Sequence, residues 1–205
     1  MMPTVALVDY GVGNLFSMKN AITRTGLNVE VTDDNETIRT ADAIVLPGVG
    51  NFGAATGRLR EFNDAIRGAL GDGIPILGSC LGMQLLFEGS DESPEKGLSL
   101  LGGWVKRFHG EQKVPHMGWN TIRTVRYSPL LEGIPDGEYF YFVHSFYPKP
   151  VNHEVTLAVT DYGGEFTSIV QKGNLYGTQF HPEKSGRAGA ALLNNFAAIV
   201  RRLKR

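Results

Sequence analysis

Three short, uninterrupted apolar runs, each ending at glycines, most constrain the fold of this chain. They lie within "TVALVDYGVG" (residues 4–13), "ADAIVLPGVG" (41–50) and "IPILGSCLG" (74–82). Continuous apolar runs of this length are typical of strands buried on both faces of a parallel sheet. After the first run, Asn14 can cap a helix that Gly26 ends before a second strand. Residues 1–90 therefore predict a parallel sheet covered by helices.

The second half of the chain has a different texture. From Trp104 to Phe180, short β-prone pieces alternate with Gly, Pro and Asn turns, which indicates mostly antiparallel strands added to the same sheet. The polar stretch "EGSDESPEKG" (88–97) is interpreted as a loop. A final helix is predicted from an apolar stripe with helical spacing. The stripe consists of Ala190, Leu193, Phe196, Ala197 and Val200.

The predicted fold class is α/β: an open, mostly parallel central sheet with flanking helices and added antiparallel strands. With 205 residues and no long linker, the chain is expected to form a single domain over residues 1–205. The 20 basic and 21 acidic residues nearly balance, which argues against a nucleic-acid or membrane-surface partner. No run approaches the roughly 20 apolar residues that cross a bilayer. A lone cysteine cannot form an internal disulfide, so a cytoplasmic location is expected.

That single cysteine, Cys80, lies in "GSCLGMQ" (78–84), between Gly78 and Gly82. The pattern G-x-C-x-G is the thiol form of a nucleophile elbow, a tight strand-to-helix turn whose neighbours must lack bulk. At a helix N-terminus, the dipole and the free N–H groups favour thiolate over thiol, and the Leu81 N–H could stabilise an oxyanion. The alternative is a packed core cysteine in a glycine-rich turn.

A second motif, "YGTQFHPEKS" (176–185), supplies a candidate base. His181 and Glu183 are two residues apart, and Pro182 is expected to keep the segment extended, so that both side chains point the same way. His181 could then act as general base towards Cys80 while Glu183 orients the imidazole. The other histidines are expected to be polar, turn or packing residues. They are His109, His116, His144 and His153.

The sequence offers no cofactor site. One cysteine and scattered histidines do not have the ligand spacing of a zinc site, so no metal is expected. A dinucleotide loop at "GVGNLF" fails because Phe16 occupies the last glycine position of G-x-G-x-x-G.

Several motifs together resemble a known family. "GSCLGMQLLF" and "FHPE" are similar to the class I glutamine amidotransferases as a whole. Within that family, "YGVGN", "LPGVGNFG", "PHMGWN", "FVHSF" and "HPEKS" resemble the glutaminase subunits of imidazole glycerol phosphate synthases. The resemblance runs along essentially the whole chain. Ser79 departs from it, since the family usually has an apolar residue there, and this bears on rate rather than on reaction type.

The resemblance implies roles for individual residues. Cys80 would attack the side-chain amide of L-glutamine, His181 would move the proton, and Glu183 would hold His181. A second oxyanion donor is implied at Val49, beside Leu81. Glutamine would be held by Gly48, Gln84, Glu92, Ser145 and Phe146, and a partner interface would include Tyr141 and Lys184.

The resemblance also implies a partner, the cyclase subunit of imidazole glycerol phosphate synthase, which would receive the ammonia in a heterodimer. We expect the isolated chain to be a poor glutaminase until that partner binds its ligand. An alternative is a glutaminase subunit that serves another synthase, for anthranilate or pyridoxal phosphate. A third reading, a non-catalytic regulatory relative, is disfavoured by the intact Cys80, His181 and Glu183.

Overall fold

A computed structural model describes residues 2–204 as fourteen strands, six α-helices and four short 3-10 helices. The strands are β1 (Thr4–Val8), β2 (Asn28–Thr32), β3 (Ala43–Leu46), β4 (Ile76–Ser79), β5 (Gly89–Ser90), β6 (Ser93–Lys96), β7 (Gly103–Arg107), β8 (His116–Thr121), β9 (Arg123–Thr124), β10 (Tyr139–His144), β11 (Phe146–Pro150), β12 (Thr156–Asp161), β13 (Glu165–Lys172) and β14 (Leu175–Thr178). The helices are α1 (Leu15–Thr23), α2 (Asn35–Thr40), α3 (Phe52–Leu59), α4 (Asn63–Gly71), α5 (Leu81–Gln84) and α6 (Gly186–Leu203). The 3-10 helices are Arg60–Phe62, Pro129–Leu131, His153–Val155 and Pro182–Lys184.

The central sheet has eight strands in the order β2-β1-β3-β4-β14-β13-β12-β9. The first five are parallel to their neighbours and the last three are added antiparallel, so the predicted fold class is confirmed. Strand β14 differs from the expectation of an antiparallel addition, because it is parallel to β4, with Thr178 beside Ser79. The reason is the tight turn at Gly173, which reverses the chain after β13 and so aligns β14 with β4.

Two smaller sheets stand beside the central one, contrary to the expectation that every later strand joins it. Strands β8 and β10 form an antiparallel ribbon, and β11, β7, β5 and β6 form a four-stranded sheet. The expected loop over residues 88–97 is therefore wrong in part, since it contributes β5 and β6. Gly89 allows β5 to pair with β7, because a Cβ there would lie 2.4 Å from the ring of Trp104 on β7.

Buried side chains form one core on each face of the central sheet. In β1, Val5 and Leu7 belong to the core under α1 and α6, while Ala6 and Val8 belong to the core under α2, α3 and α4. This alternation explains why the strand reads as one continuous apolar run. In α6, Ala190 is exposed rather than part of the predicted stripe. Gly189 is buried in its place, because a Cβ at Gly189 would lie 1.9 Å from the Pro182 carbonyl oxygen.

The loops that follow β1, β3, β4 and β14 meet at the carboxyl edge of the parallel strands. This edge is where open α/β sheets bind their ligands. It carries residues 47–51 after β3, Cys80 after β4 and residues 179–184 after β14. Within residues 2–204, no helix is both long and apolar enough to cross a membrane.

Candidate active site

Cys80 occupies a strained turn between β4 and α5. Its backbone has φ 51° and ψ −107°, a conformation that side-chain-bearing residues rarely adopt. The flanking glycines make the turn possible, because a Cβ at Gly82 would lie 1.9 Å from the Leu46 carbonyl oxygen and one at Gly78 would lie 2.6 Å from the Gly82 oxygen. The Cys80 N–H donates to the Thr178 carbonyl at 2.7 Å, which ties the turn to β14. The geometry is that of a nucleophile elbow.

His181 and Glu183 form a buried pair next to this elbow. Nδ1 of His181 lies 2.9 Å from Oε1 of Glu183, and the two side chains are 1% and 4% exposed. The expected extended segment is wrong: residues Pro182–Lys184 form a 3-10 turn, closed by the Lys184 N–H donating to the His181 carbonyl at 3.0 Å. The turn, rather than an extended chain, brings the carboxylate of Glu183 to the imidazole.

The charges around His181 favour its protonated form. Burial on its own lowers the pKa of His181, but the negative charge of Cys80 and the hydrogen bond and charge of Glu183 outweigh burial and raise it to about 10. Nε2 of His181 has no hydrogen-bond partner among residues 2–204. The ring therefore has one nitrogen fixed by Glu183 and the other available to exchange a proton.

Cys80 lines a cavity of about 490 Å³. This volume is within the range of small-molecule sites. Of the residues expected to bind substrate, donate to an oxyanion or meet a partner, most line this cavity, whereas Gly48 and Tyr141 do not. The expected residues that line it are Val49, Cys80, Leu81, Gln84, Glu92, Ser145, Phe146 and Lys184.

The glycine-rich loop at residues 47–50 is packed directly onto the elbow. Gly48 is buried, and a Cβ there would lie 2.6 Å from the Leu81 Cβ and 2.8 Å from the Gly82 nitrogen. The Tyr10 hydroxyl donates to the Pro47 carbonyl. Burial raises the pKa of Tyr10 well above its usual range, with a smaller contribution from the charge of Cys80, so this hydroxyl keeps its proton. The contacts hold the backbone around Val49 beside the first turn of α5.

Two polar side chains of the cavity are anchored by other parts of the chain. Gln84 donates from Nε2 to the Phe146 carbonyl at 2.9 Å and to Oε1 of Gln179 at 3.2 Å. Glu92 accepts the Phe52 N–H on Oε2 at 2.7 Å, at the start of α3. These bonds give both side chains defined orientations at the cavity wall.

A buried histidine pair, which the sequence did not reveal, supports one wall of the cavity. Nδ1 of His116 lies 3.0 Å from Nε2 of His144, and Nδ1 of His144 lies 2.7 Å from the Phe146 carbonyl oxygen. Since that carbonyl only accepts, His144 donates to it and accepts from His116. Burial lowers the pKa of His116 to about 4 and that of His144 to about 3, so both rings are neutral at pH 7. Within residues 2–204, no group of His, Cys, Asp and Glu is arranged to hold a metal ion.

Tyr141 and Lys184, the expected interface residues, both hydrogen-bond to the His181 backbone through their own main chains. Tyr141 is half-buried on β10, and its carbonyl accepts the His181 N–H at 3.0 Å. Its own N–H donates to Oγ of Ser185 at 3.0 Å. Lys184 is exposed at the cavity rim.

Gln179 is a further residue whose place in the site the sequence did not reveal. Its side chain is fully buried, and Nε2 lies 3.7 Å from the Cys80 sulfur. Gln179 directly follows β14 and lies two residues before His181.

Comparison with known proteins identifies the family of this chain. Residues 6–200 match the family "Glutamine amidotransferase class-I". A protein of Moorella thermoacetica named imidazole glycerol phosphate synthase subunit HisH is 50% identical, over 98% of this chain and 97% of its own length. The protein of the same name from Thermococcus kodakarensis is 51% identical, over 95% of this chain and all of its own.

Solved structures share the fold at low sequence identity. PurLQS from Thermotoga maritima superposes with a TM-score of 0.78 at 20% identity, covering 97% of this chain and 99% of the matched chain. A glutamine amidotransferase from the same organism has a TM-score of 0.67 at 18% identity, covering 100% and 86%. With the sequence matches, these findings place the chain in the class-I glutamine amidotransferase family, among the HisH subunits of imidazole glycerol phosphate synthase.

Proposed function

We propose that this chain is a glutaminase subunit that hydrolyses L-glutamine and passes the ammonia to the cyclase subunit of imidazole glycerol phosphate synthase. The observation that carries the proposal is the elbow cysteine beside the buried His181–Glu183 pair, opening into a cavity of suitable size. The relatives named HisH support the choice of partner. The proposal keeps residues 1–205 as one domain and the cytoplasmic location that a single unpaired cysteine favours.

In the proposed mechanism, Cys80 is the nucleophile and His181 the general base and acid. The thiol proton passes to Nε2 of His181, and the sulfur forms a bond to the amide carbon of glutamine. As the tetrahedral intermediate collapses, the carbon–nitrogen bond breaks and His181 returns the proton to the leaving nitrogen, which gives ammonia. Water, deprotonated by His181, then hydrolyses the thioester to glutamate and the free thiol. Glu183 keeps Nδ1 protonated throughout.

The developing oxyanion needs donors that are already in place. Leu81 is the first residue of α5, where backbone N–H groups have no partner within the helix. Gly48 packs against Leu81, so the Val49 peptide lies beside the same point of the cavity. We assign the two oxyanion donors to the N–H groups of Leu81 and Val49.

The remaining cavity residues are assigned to the amino-acid end and the side chain of glutamine. Glu92 has one oxygen held by the Phe52 N–H, which leaves the other for the substrate ammonium group. Both Nε2 protons of Gln84 are directed to protein carbonyls, so its Oε1 is the atom free for substrate. The Ser145 and Phe146 backbone, fixed by Gln84 and His144, forms the opposite wall.

The partner surface is assigned to the ribbon of β8 and β10 and the adjacent cavity rim. Tyr141 and Lys184 lie there, and the ribbon exposes three large side chains: Met117 is 62%, Trp119 56% and Tyr139 56% exposed. An apolar, aromatic-rich patch beside an active site fits a protein partner. Docking there would pass ammonia across without contact with bulk water, where it would be protonated.

The experiment compares glutamine-dependent and ammonium-dependent product formation after mixing with the cyclase subunit. Wild type should use both nitrogen sources, whereas Cys80→Ala should lose the glutamine-dependent reaction and retain the ammonium-dependent one. Glutamine hydrolysis that survives in Cys80→Ala contradicts the nucleophile assignment. Activation by an anthranilate or pyridoxal phosphate synthase component, with none by the cyclase, would identify the alternative acceptor.

A further inference from the structure

Gln179 is positioned by its backbone independently of its side chain. Its N–H donates to the Ser168 carbonyl on β13 at 2.8 Å, and the residue follows directly after β14. The side chain is fully buried, two residues before His181. A substitution of this side chain therefore leaves the main-chain bond that places residues 179–181.

The orientation of the Gln179 amide follows from a chain of hydrogen bonds. The Phe146 carbonyl only accepts, so the Gln84 atom 2.9 Å from it is the amide nitrogen. That nitrogen also lies 3.2 Å from Gln179, whose facing atom must then be the oxygen. The Gln179 nitrogen consequently points the other way, to within 3.7 Å of the Cys80 sulfur.

The sulfur has a different partner for each of its protonation states. Val143 offers a backbone carbonyl 3.8 Å away, which only a thiol S–H can engage. Gln179 offers an N–H, which a thiolate accepts much more strongly than a thiol does. Within residues 2–204, the Gln179 nitrogen has no hydrogen-bond partner other than the sulfur. Formation of the thiolate therefore exchanges the Val143 contact for a charge-assisted bond from Gln179.

We propose that Gln179 is a further catalytic residue, whose side-chain N–H holds the Cys80 thiolate while Gln84 fixes the direction of the amide. No bond to Gln179 forms or breaks in the reaction. The donor acts on the sulfur before attack and again when the sulfur leaves the thioester. Gln84 thereby has a positioning role besides its place in the cavity. This inference rests on the proposed roles of Cys80 and His181.

The test measures the rate at which iodoacetamide alkylates Cys80 in the full chain, as a function of pH, for wild type and Gln179→Met. Methionine keeps the length and burial of the side chain but has no N–H. We expect the alkylation rate at pH 7 to fall about tenfold, because a hydrogen bond to a charged group is lost, and to reach the wild-type rate at high pH. Glutaminase kcat, measured with the partner, should fall in parallel, with its acid limb moved to higher pH.

A second variant and a control keep the test decisive. Gln179→Asn withdraws the amide by one methylene and should shift the alkylation profile in the same direction, even if Gln179→Met does not fold. Gln171→Met, on β13 with its amide bonded to the Gly173 carbonyl, should match wild type. An alkylation profile identical to wild type in a folded Gln179 variant overturns the inference. Because alkylation does not require glutamine turnover, that result is separable from glutamine hydrolysis by Cys80→Ala, which would overturn the proposed function.

Discussion

Nδ1 of His181 donates to Oε1 of Glu183 at 2.9 Å, within a pocket that almost fully excludes solvent from both side chains. The acceptor is a carboxylate, so it both selects the ring tautomer and raises the pKa of His181. Burial opposes this rise, which makes the negative neighbours decisive.

Replacing the carboxylate tests this relationship. Glu183→Gln can still accept from Nδ1 but has no charge, so the pKa of His181 should fall. We expect glutaminase kcat of the complex to drop by about 10²-fold, less than for His181→Ala. The alkaline limb of the kcat–pH profile should move to lower pH, since His181 with a lower pKa becomes neutral at a lower pH. Inactivity as complete as that of Cys80→Ala would show that Glu183 does more than orient and charge the ring.

The contact between Gly48 and the elbow predicts a second effect. In Gly48→Ala, the new Cβ would meet Leu81 and the Gly82 nitrogen at 2.6 and 2.8 Å, so the loop must move away from α5. Displacing the Val49 donor should lower kcat by about 10² to 10³, with little change in KM.

A glycine with free space around it provides the control for that loop. Gly57 lies inside α3, and no atom lies within 4 Å of the position that a Cβ would take there. Gly57→Ala should keep full activity and raise the free energy of unfolding by about 0.5–1 kcal/mol through helix propensity. Equal kcat for Gly48→Ala and Gly57→Ala would remove the argument for a fixed oxyanion loop.

Ser79, which precedes Cys80 in the elbow, buries a hydroxyl without a hydrogen-bond partner among residues 2–204. Ser79→Ala removes that polar atom and should raise the free energy of unfolding by about 1 kcal/mol, seen as a higher Tm. Ser128→Ala is the matched comparison, because the Ser128 hydroxyl accepts the Leu130 N–H at 3.1 Å. In Ser128→Ala, the free energy of unfolding should fall by about 1 kcal/mol. Similar losses in both variants would mean that the Ser79 hydroxyl is in fact satisfied.

The His116–His144 pair predicts acid sensitivity of the fold. Burial lowers the pKa of His116 to about 4 and that of His144 to about 3. Below pH 6.5, both histidines are therefore protonated in the unfolded chain while they remain neutral in the folded chain. The free energy of unfolding should therefore decrease as pH falls from 7 to 5. His181 has the opposite sign, since its raised pKa gives stability that is complete below pH 6.5 and is lost towards pH 10.

The measurement is the change in Tm between pH 7 and pH 5. His116→Gln should show a smaller decrease in Tm than wild type, because one of the two buried histidines with a lowered pKa is absent. His153→Gln, in an exposed 3-10 turn, should keep the wild-type decrease. A pH dependence that is unchanged in His116→Gln would contradict the assignment of acid sensitivity to the pair.

The interface assignment predicts that substitutions there uncouple glutamine hydrolysis from product formation while the complex with the cyclase subunit still forms. In complexes with the cyclase subunit, Tyr141→Ala and Lys184→Ala should consume more glutamine than they form product, or respond less to the cyclase ligand. A rim lysine adds little binding energy, so the complex should persist. Lys149→Ala, on β11 outside the active-site cavity, should leave the stoichiometry at one to one. One-to-one stoichiometry and full stimulation in both interface variants would refute the placement.

What the sequence could predict depended on whether neighbours along the chain were enough. The buried strand β1 and the elbow glycines at 78 and 82 could be predicted, because a continuous apolar run and the absence of a Cβ are visible in the local sequence. Strand β6 could not be found this way, since its polar residues form a strand only by pairing with β5. The bonds of Gln84 to Phe146 and Gln179 span 62 and 95 residues, and only the folded chain brings them together.

The hydrogen bonds around Tyr141 have a mechanical consequence. Tyr141 accepts from the His181 N–H and donates to Ser185, whose hydroxyl donates back to the His181 carbonyl at 2.6 Å. This closed ring of hydrogen bonds ties the ribbon of β8 and β10 directly to the backbone of His181, the proposed general base. A movement of the ribbon would therefore also move His181. If the partner docks on the ribbon as proposed, docking would change the orientation of the imidazole that transfers the proton, and the same partner would receive the ammonia.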